Sequence, residues 1–569
     1  MQTKRSSLLI ILTLVKLLKN LWFTMAIAVT AGVLGFILSF GISLFGTYAI
    51  LSILPSTKDG LKNIFLGNFS TNFYFYGMFL CGFLRGVFHY LEQYSNHFIA
   101  FKILAEIRIK LFKVIRKLAP AKIDEKKHGD MVALLTADIE LLEVFYAHTI
   151  SPILIALFTS VVLFLYLCKL QVIYAFYMLF VQIFIGFIVP FLAMKNISES
   201  GISTRNKIAK INDEFLDNLR GIKEVIQYSQ GKKIIKKIDK ISLSLGESQK
   251  KLRNNMANIQ IIADSTILFL SLIQILLSLF LVSKNLVSVE TSILAATLQI
   301  GSFAPYINLA NLGNILSQTF ASAERVFNLM EENTSVENID KFGKDKLNSN
   351  NKIDINFLSF KHKKSKNFIL KNINLTVKKG ELVGIMGESG CGKSTLLKLL
   401  MRFWDSQTGN IFVDSKNIKN IDLGDLYKQF NYMTQSSDLF IGTLRDNLLI
   451  AKPNASDEEI FSALKKASLY NYVLSLPKGL DSIVEESGKN FSGGEKQRIG
   501  LTRAFLADRE IFLLDEPTSN LDIQNEAIIL KSLIEEAKNK TIILVSHRES
   551  TLSICDRVFK MENGLLINY

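Results

Sequence analysis

Cysteine and proline are scarce in this chain of 569 residues, which contains 4 Cys, 8 Pro and 32 Gly. So little proline and glycine excludes a collagen-like chain and a low-complexity disordered one. The four cysteines (Cys81, Cys168, Cys391 and Cys555) lie far apart and form no CxxC or Cys/His cluster. Neither a structural zinc site nor a disulfide framework is therefore expected, and most of the chain should lie in reducing cytosol or lipid.

The chain also lacks a recognisable cleavable signal. The first twenty residues contain no small-residue cleavage site of the kind that ends a signal peptide. Basic side chains surround their apolar stretch, at Lys4, Arg5, Lys16 and Lys19. Residues 1–20 are therefore predicted to form an amphipathic helix at a membrane interface.

Apolar residues are more frequent than a soluble chain of this length would allow. They make up 49% of the sequence, charged residues make up 21%, and the mean hydropathy is +0.27. A helix that crosses the hydrocarbon core needs about 20 mostly apolar residues. Residues 21–332 are predicted to be an α-helical six-span transmembrane domain. The candidate spans are 22–52, 70–94, 146–168, 171–194, 259–283 and 289–318.

The net charge of +15 has three possible sources: a nucleic-acid partner, an anionic membrane surface, or the cytoplasmic segments of a membrane protein. Two polar blocks with helical spacing carry much of it, with 9 Lys/Arg in residues 95–145 and 14 in residues 195–258. The loops on the other side contain only Lys58, Lys62, Lys169 and Lys284. The positive-inside rule then places both termini and both blocks in the cytoplasm, as helical extensions of a multi-pass protein of the cell membrane. No basic stripe alternates with stacking aromatics, so a nucleic-acid partner is not expected.

Composition changes again near residue 333. Residues 333–352 are polar and poor in large apolar side chains, which indicates a linker. Residues 353–569 have the hydropathy of a soluble domain, and about 215 residues is an ordinary size for one fold. The sequence thus predicts a lipid-embedded part followed by an α/β soluble domain.

The segment LVGIMGESGCGKSTLLKLL fits the phosphate-binding pattern G-x-x-x-x-G-K-[ST] between an apolar strand and an apolar helix. Glycines allow backbone N–H groups to surround phosphates, and the helix N-terminus adds partial positive charge. Lys393 is expected to contact the β- and γ-phosphates, and Ser394 to bind Mg²⁺. The predicted ATP-binding residues of this loop are Gly387, Glu388, Ser389, Gly390, Cys391, Gly392, Lys393, Ser394 and Thr395.

Two further apolar strands end in residues suited to ATP hydrolysis. The apolar strand in the segment EIFLLDEP ends in Asp515, a candidate Mg²⁺ ligand, and Glu516, which is placed to polarise the attacking water. The segment TIILVSH ends in His547, a candidate γ-phosphate contact at the same edge of a parallel sheet. The pattern predicts a P-loop ATPase.

With the motif FSGGEKQR at 491–498, the chain resembles an ABC transporter, specifically a half-transporter that fuses one membrane domain to one ATPase domain. The family signature is usually written LSGGQ, so Phe491 and Glu495 depart from it. The resemblance implies that Ser492, Gly493 and Gly494, with Glu495, face the γ-phosphate of ATP bound by the opposite subunit. It therefore implies a dimer, either homomeric or with a second half-transporter.

Other positions are carried over from the resemblance one at a time. Gln435 matches the Q-loop glutamine that contacts Mg²⁺ and water and relays to the membrane domain, and Asp522 matches the D-loop aspartate. Glu486 and Gly488 match the short segment before the signature that faces the coupling helices.

The adenine-stacking position, usually Tyr in this family, falls on His362, with Phe360 as an alternative. The resemblance implies ATP and Mg²⁺ as cofactors, with Ser394, Gln435 and Asp515 around the metal. The implied catalytic residues are Glu516, His547, Gln435 and Lys393.

Within the membrane part, residues 86–146 resemble the CydC-type subunit of the transporter that serves cytochrome bd assembly. The similar features include Tyr90-Leu91-Glu92, His97 and the Leu-Ala-Pro-Ala run at 118–121. That resemblance implies a small thiol or a haem-related compound as cargo, and it aligns His97 with a histidine implicated in haem ligation.

Ionisable residues at membrane depth are functional candidates because they are costly to place there. Arg85, His89, Tyr90 and His97 are the candidate cargo or haem residues. The alternative interpretation is that they line a water-filled vestibule or cap the span. Three functions remain open from the sequence: a CydC-type exporter, a generic multidrug, lipid or peptide exporter, and a non-transport ABC ATPase. Six spans fused to the ATPase argue against the third.

Overall fold

The computed structural model describes residues 5–53, 69–123, 128–306, 312–337, 352–362, 365 and 367–569. The chain separates into two compact units, of which the first comprises Met1–Arg116 and Lys126–Glu332. The second comprises Lys117–Glu125 and Asn333–Tyr569. Most of the predicted linker and two lysines of one predicted loop, Lys58 and Lys62, lie outside the described residues.

The first unit is helical. Its α-helices are α1 (Ser7–Leu17), α2 (Trp22–Ile53), α3 (Thr71–Leu118), α4 (His128–Ala133), α5 (Glu143–Phe145), α6 (Ser151–Leu170), α7 (Val172–Ile183), α8 (Val189–Arg220), α9 (Ile222–Gln227), α10 (Gly231–Ser283), α11 (Val289–Gly301) and α12 (Leu312–Met330). Single π-helical turns occupy Leu134–Asp138, Tyr146–Ile150 and Phe184–Ile188.

Three stretches of described helix are long and apolar enough to cross a membrane: Trp22–Ile53, Gly129–Leu170 and Gly231–Ser283. The predicted span at 70–94 is the first half of the single long helix α3. The predicted span at 289–318 covers α11 and part of α12, and residues 307–311 between them are outside the described residues. The count of six spans stays a prediction.

Helix α1 lies on α12. Ser6 caps α1 by accepting a hydrogen bond from the Leu9 backbone N–H, and the Arg5 backbone N–H donates to Glu324 Oε1 at 3.1 Å. Leu14 is fully buried, and its carbonyl accepts a hydrogen bond from Tyr146 Oη. Leu8, Leu9 and Leu12 are exposed on the remaining surface of α1. The helix thus leaves three leucine side chains exposed, and its position at a membrane interface stays a prediction.

The long helices α8 and α10 pack side by side through their polar stretches. Lys207 Nζ donates to Ser248 Oγ at 2.7 Å and to the Ser244 carbonyl at 2.9 Å. Asn255 Nδ2 donates to Ser200 Oγ at 2.9 Å, and the Lys237 ammonium lies 2.7 Å from the Glu214 carboxylate. Because these contacts are hydrogen bonds and ion pairs, this pair of extensions suits water and not lipid.

The second unit is an α/β domain built on three sheets. Its strands are β1 (Ile353–Phe360), β2 (Leu370–Val377), β3 (Leu382–Gly387), β4 (Thr408–Val413), β5 (Lys416–Asn417), β6 (Phe430–Met433), β7 (Gly442–Thr443), β8 (Ile483–Val484), β9 (Ile511–Asp515), β10 (Thr541–Ser546), β11 (Arg557–Glu562) and β12 (Leu565–Asn568). Its helices are α13 (Lys393–Leu400), α14 (Leu423–Gln429), α15 (Leu444–Leu449), α16 (Asp457–Lys466), α17 (Tyr470–Ser475), α18 (Gly493–Ala507), α19 (Ile523–Ala537) and α20 (Glu549–Leu552).

The largest sheet has the order β12-β11-β3-β10-β9-β6. Strands β11, β3, β10, β9 and β6 run parallel, and only the edge strand β12 is antiparallel. Every residue of β9 and β10 is buried, as expected for central parallel strands covered on both faces. A second, antiparallel sheet has the strand order β2-β1-β4-β5, and β7 pairs with β8. The predicted fold class, a helical membrane part followed by an α/β P-loop domain, is confirmed.

Candidate functional site

The candidate site of the second unit lies where parallel strands end side by side. Val545 of β10 is opposite Asp515 of β9, and Ser546 is opposite Met386 of β3. Residues that follow these strands therefore share one edge of the sheet, the position where open α/β sheets bind ligands. The P-loop, Glu516 and His547 leave the sheet there, and Gln435 follows β6 two residues after the strand ends.

The P-loop has the backbone that its glycines allow. Gly390 and Gly392 have φ values of +84° and +115°, in the left-handed region that side chains disfavour. A Cβ at Gly392 would lie 2.9 Å from Leu370 Cδ2 and 3.3 Å from the Ile369 carbonyl oxygen. Alanine at Gly392 would thus be both strained and crowded.

Lys393 is the first residue of α13 and is only 5% exposed. Its ammonium donates to the carbonyl oxygens of Gly387 at 2.7 Å and Glu388 at 2.8 Å. The lysine thus folds back across the loop, and a phosphate placed there would offer the same ammonium stronger, charge-assisted hydrogen bonds.

A cavity of about 430 Å³ opens beside the P-loop. It is lined by Glu388, Ser389, Gly390 and Cys391, by Phe368 and Ile369, and by the β11–β12 turn at 560–564. Its volume falls within the range of about 300–1,000 Å³ that is usual for small-molecule sites. The sequence reasoning did not find Phe368, Ile369 or the β11–β12 turn, because no motif marks them.

Asp515 is the last residue of β9 and is 4% exposed. Burial raises the pKa of Asp515 above its usual value, a hydrogen bond from the Ser394 side chain lowers it in part, and the Glu516 charge raises it again. Ser394 and Asp515 thus bring two oxygen atoms together, which is the ligand type Mg²⁺ prefers alongside water and phosphate oxygens. Among the described residues no group of three or more His, Cys, Asp and Glu side chains could hold a metal.

Glu516 lies between two of the other predicted catalytic residues. Gln435 Nε2 donates to Glu516 Oε2 at 2.9 Å, and His547 Nδ1 lies 3.2 Å from Glu516 Oε1. Glu516 itself has a φ of +51°, and its backbone N–H donates to the Val545 carbonyl at 2.9 Å. Positive φ in a glutamate is uncommon and is often found at functional sites. The three side chains therefore form one connected group beside the P-loop.

The candidate signature residues begin helix α18. Ser492 is its N-cap and forms a capping box with Glu495: Glu495 N–H donates to Ser492 Oγ at 3.3 Å, and Ser492 N–H donates to Glu495 Oε2 at 2.8 Å. Gly493 and Gly494 occupy the first helical turn, and a Cβ on Gly494 would lie 2.8 Å from the Asn520 carbonyl oxygen. Ser492 and Gly493 are exposed, so an anion can reach the N-terminus of this helix.

Both departures from the family signature have structural reasons. Phe491 is buried in a hydrophobic cluster formed largely by helices α15–α19, which we call the helical lobe, and its ring meets the Tyr472 ring with centroids 6.3 Å apart. Glu495 supplies the acceptor of the capping box. Burial and a hydrogen bond to Glu495 raise the pKa of Tyr472 to about 12. Tyr472 was not found from the sequence, because nothing in its surroundings resembles a motif.

The loop after Glu516 is held by residues that the sequence reasoning also missed. Gln497 Nε2 donates to the Glu516 carbonyl at 2.5 Å and to Ser519 Oγ at 3.1 Å. Arg548, the residue after His547, donates to the carbonyls of Thr518 at 3.2 Å and Ser519 at 2.8 Å. Gln497 lies within the motif FSGGEKQR and Arg548 directly follows His547, and these positions in the sequence are the signal that could have indicated them.

The residues carried over from the family loops occupy ends of elements. Asp522 is the N-cap of α19 and accepts hydrogen bonds from the backbone and the side chain of Asn525, both at 2.8 Å. Glu486 is exposed and lies 2.8 Å from the Lys489 ammonium. Gly488 has a φ of +63°, and a Cβ there would lie 2.7 Å from Leu439 Cδ1.

The candidate adenine contact His362 belongs to an aromatic group. Its ring meets those of Phe360 and Trp404 edge-on, each with centroids 5.1 Å apart. Phe360 is 2% exposed in the strand β1, so its ring offers little surface to a base, and the adenine contact stays a prediction. Lys398 of α13 lies over the Trp404 ring at 5.5 Å, which joins this group to the P-loop helix.

The four candidate cargo residues of the first unit do not form one cluster. His89 Nδ1 lies 3.4 Å from the buried carboxylate of Glu92, and Tyr90, 71% exposed, stacks on Tyr94. His97 Nδ1 lies 3.1 Å from Glu143 Oε1, on the segment before α6. Within the described part of the chain, no hydrogen bond or ion pair joins Arg85 to the candidate histidines.

The neighbourhood of His97 contains a second histidine. The rings of His97 and His148 meet edge-on, with centroids 5.5 Å apart, and the His97 ring also stacks near Phe101 at 5.9 Å. If Glu143 accepts the Nδ1 hydrogen, the His97 Nε2 atom is left as the basic nitrogen, the arrangement by which carboxylates orient metal-binding histidines.

Comparison with known proteins matches both parts of the chain. The family model of the ABC transporter transmembrane region matches residues 11–306, and the ABC transporter ATPase model matches residues 370–519. A Haemophilus influenzae ATP-binding/permease protein, named as a probable ABC transporter, is 39% identical over 97% of this chain and 98% of its own length. A Staphylococcus aureus ATP-binding/permease protein, provisionally named for multidrug export, is 28% identical over 86% of this chain and 84% of its own.

Among solved structures, a bacterial Atm1-family ABC exporter with ATP bound has a similar fold. Its TM-score is 0.78, with 20% identity, and the match covers 95% of this chain and 94% of that one.

Proposed function

The chain belongs to the ABC transporter family as an exporter-type half-transporter, and on that premise we propose that Glu516 drives its transport cycle by activating the water that hydrolyses ATP. The observation that carries the proposal is the hydrogen-bonded group of Glu516, Gln435 and His547 beside the P-loop. When bound, ATP would supply the phosphoryl group and Mg²⁺ would offset its negative charge. The residues of the chain bind, orient and accept a proton.

The roles of the residues follow from their positions. The backbone N–H groups of residues 387–395 and the Lys393 ammonium would hold the phosphates, and Ser394 and Asp515 would hold Mg²⁺. Glu516 Oε2, already an acceptor for Gln435, takes the proton of the attacking water, and Gln435 orients that water. His547 lies against the other oxygen of Glu516 and contacts the γ-phosphate.

The test is Glu516→Gln, which keeps the shape of the side chain and removes its basicity. ATP hydrolysis should fall by about 10²-fold or more, the usual contribution of a general base, while ATP binding is retained. Glu535→Gln, an exposed glutamate on α19, is the matched control and should leave turnover unchanged. Normal turnover in the Glu516→Gln protein would show that the base is assigned wrongly.

We propose that the transporter acts as a dimer of two half-transporters, as its membership of this family implies. We propose that Ser492, Gly493 and Gly494 of one chain contact the γ-phosphate of ATP held by the P-loop of the other. Support comes from the exposed N-terminus of α18, where Ser492 and Gly493 remain accessible and the helix dipole favours an anion.

For the cargo, we propose a small thiol or a haem-related compound, as in CydC-type transporters. The supporting observation is the pair of His97 and Glu143, which leaves one imidazole nitrogen of His97 able to bind a metal. A Soret absorption band in the purified protein that is lost in His97→Ala would support the haem cargo. Haem binding unchanged in His97→Ala would exclude His97 as the ligand.

A second candidate is a broader multidrug exporter, which the name of the Staphylococcus aureus relative favours. An exporter of broad specificity would be expected to respond to several unrelated apolar compounds. Stimulation of ATP hydrolysis by haem, glutathione, cysteine, lipids and drugs, measured side by side in lipid vesicles, separates the two candidates. Stimulation by several unrelated drugs and by neither haem nor thiols would favour the second.

A further inference from the structure

Gln497 connects helix α18 to the loop that begins at Glu516. If the proposed function is correct, these two parts of the ATPase unit contact different ATP molecules. Gln497 lies in the first turns of α18, five residues after Ser492, and is 1% exposed. Both the nitrogen and the oxygen of its side-chain amide form hydrogen bonds. Nε2 donates to the Glu516 carbonyl at 2.5 Å and to Ser519 Oγ at 3.1 Å, and Oε1 accepts from the Asn520 backbone N–H at 3.1 Å.

These three contacts fix the loop that carries the catalytic glutamate. Glu516 has the uncommon φ of +51°, so its backbone needs support from its surroundings to stay in that conformation. A Cβ on Gly494 would lie 2.8 Å from the Asn520 carbonyl oxygen, so the first turn of α18 also packs directly on this loop. A shift of the α18 N-terminus would therefore move the Glu516 backbone with it.

The two ends of this contact have different partners in a dimer. The N-terminus of α18 faces ATP held by the opposite chain, whereas Glu516 acts on ATP held by its own chain. We propose that Gln497 is a positioning residue that couples the two ATP sites. When ATP of the opposite chain binds at the N-terminus of α18, Gln497 transmits that binding to Glu516 of its own chain. This inference rests on the proposed function, because it needs both the trans contact of the signature and the role of Glu516.

The experiment compares Gln497→Met with wild type in the full-length dimer in lipid vesicles. Methionine keeps the length of the side chain and removes its hydrogen bonds. Because the P-loop is untouched, KM for ATP should stay within about twofold, while kcat should fall at least about tenfold, within the usual range of coupling between sites. The Hill coefficient for ATP should fall from above 1 in wild type to 1.

A matched control is Asn447→Ala, which removes another amide that is 1% exposed and forms several hydrogen bonds in the same lobe. It should lower the melting temperature but keep the cooperativity of wild type. If Gln497→Met does not fold, Gln497→Glu is used instead, because it keeps an acceptor for the Asn520 N–H and loses the donor to Glu516. The same loss of kcat and cooperativity is expected from it.

The outcomes separate this inference from the proposed function. Unchanged kcat and Hill coefficient in the Gln497 variants would overturn the coupling role, as would a wild-type Hill coefficient of 1. A change confined to KM would do the same, since it would place Gln497 in ATP binding alone. Absence of ATP hydrolysis by wild type would instead contradict the proposed function itself.

Discussion

Asp515 combines two properties that oppose each other: it is buried, and its proposed role as a Mg²⁺ ligand requires it to be charged. Burial disfavours the carboxylate because the protein solvates it less well than water does, and this raises its pKa. The hydrogen bond from Ser394 compensates only in part. If Asp515 binds Mg²⁺ as proposed, the site holds this carboxylate at a cost to the folded domain, a common feature of functional carboxylates.

This cost gives a prediction about stability and pH. A carboxyl whose pKa is raised on folding stabilises the protein fully below its unfolded pKa of about 3.8, and this contribution is lost as the pH rises through the folded value. Asparagine does not ionise, so the variant Asp515→Asn does not lose this stability as the pH rises. Without nucleotide, it should melt at a higher temperature than wild type at pH 7, and the difference should shrink toward pH 4.

Thermal melts across that pH range check the prediction, and MgATP provides a second arm. Wild type should be stabilised by MgATP through mass action, and Asp515→Asn should lose most of this stabilisation. A variant that melts below wild type at neutral pH without nucleotide would contradict the proposed cost of burying the charge.

The motifs predicted which residues meet at the edge of the sheet, but not which residues hold them in place. Lys393, Asp515, Glu516 and His547 follow strands that are readable as apolar runs, so their convergence was predictable from parallel-sheet geometry. The contact of Gln497 with the Glu516 carbonyl was not, because it joins α18 to a loop across the sheet edge. Hydrogen bonds between separate elements leave no period or spacing in a sequence.

Helix α18 shows how an element tolerates a change in its own signature motif. Glu495 satisfies the backbone N–H of Ser492 and adds negative charge to the first turn, where the helix dipole favours it. Glutamine can accept the same hydrogen bond, so the structural role does not depend on the charge. Position 495 therefore stabilises helix α18 whether it holds glutamate, as here, or the glutamine of the usual family signature.

The prediction at the scale of this element compares two substitutions of Glu495. Glu495→Ala removes one half of the capping box and should destabilise the domain by about 1 kcal/mol, or about 2–4 °C in melting temperature for a domain of this size. Glu495→Gln keeps the acceptor and should lose less than half of that, with ATP hydrolysis close to wild type. Equal losses in the two variants would show that the capping box does not stabilise α18.

The helices of the first unit illustrate a different limit of sequence reasoning. Apolar runs located α2, α6 and the end of α10, because the length of a membrane span is imposed by the bilayer. The sequence did not show that Asp138 would be buried beside α12, where it accepts a hydrogen bond from Ser322 at 3.0 Å and pairs with Arg325. Charge pairing between helices distant in sequence depends on how those helices pack.

For the whole molecule, the net charge of +15 indicates how the chain is oriented in the membrane and not which partner it binds. Lysines crowd the polar parts of α8 and α10, and some are paired with acidic or hydroxyl side chains of the neighbouring helix. The loop after α10 holds Lys284 alone among basic residues. If the positive-inside rule applies, the polar ends of α8 and α10 lie in the cytoplasm with the ATPase unit, and Lys284 lies outside.

Single cysteines test this orientation in intact cells. In a chain whose four native cysteines are replaced by serine, Lys236→Cys and Lys284→Cys each add one thiol at an exposed position on opposite sides of the predicted membrane. A membrane-impermeant maleimide should label Lys284→Cys in intact cells and Lys236→Cys only after permeabilisation. ATP hydrolysis by both proteins confirms that they are folded. Labelling of Lys236→Cys in intact cells would reverse the proposed orientation, and with it the side from which ATP drives transport.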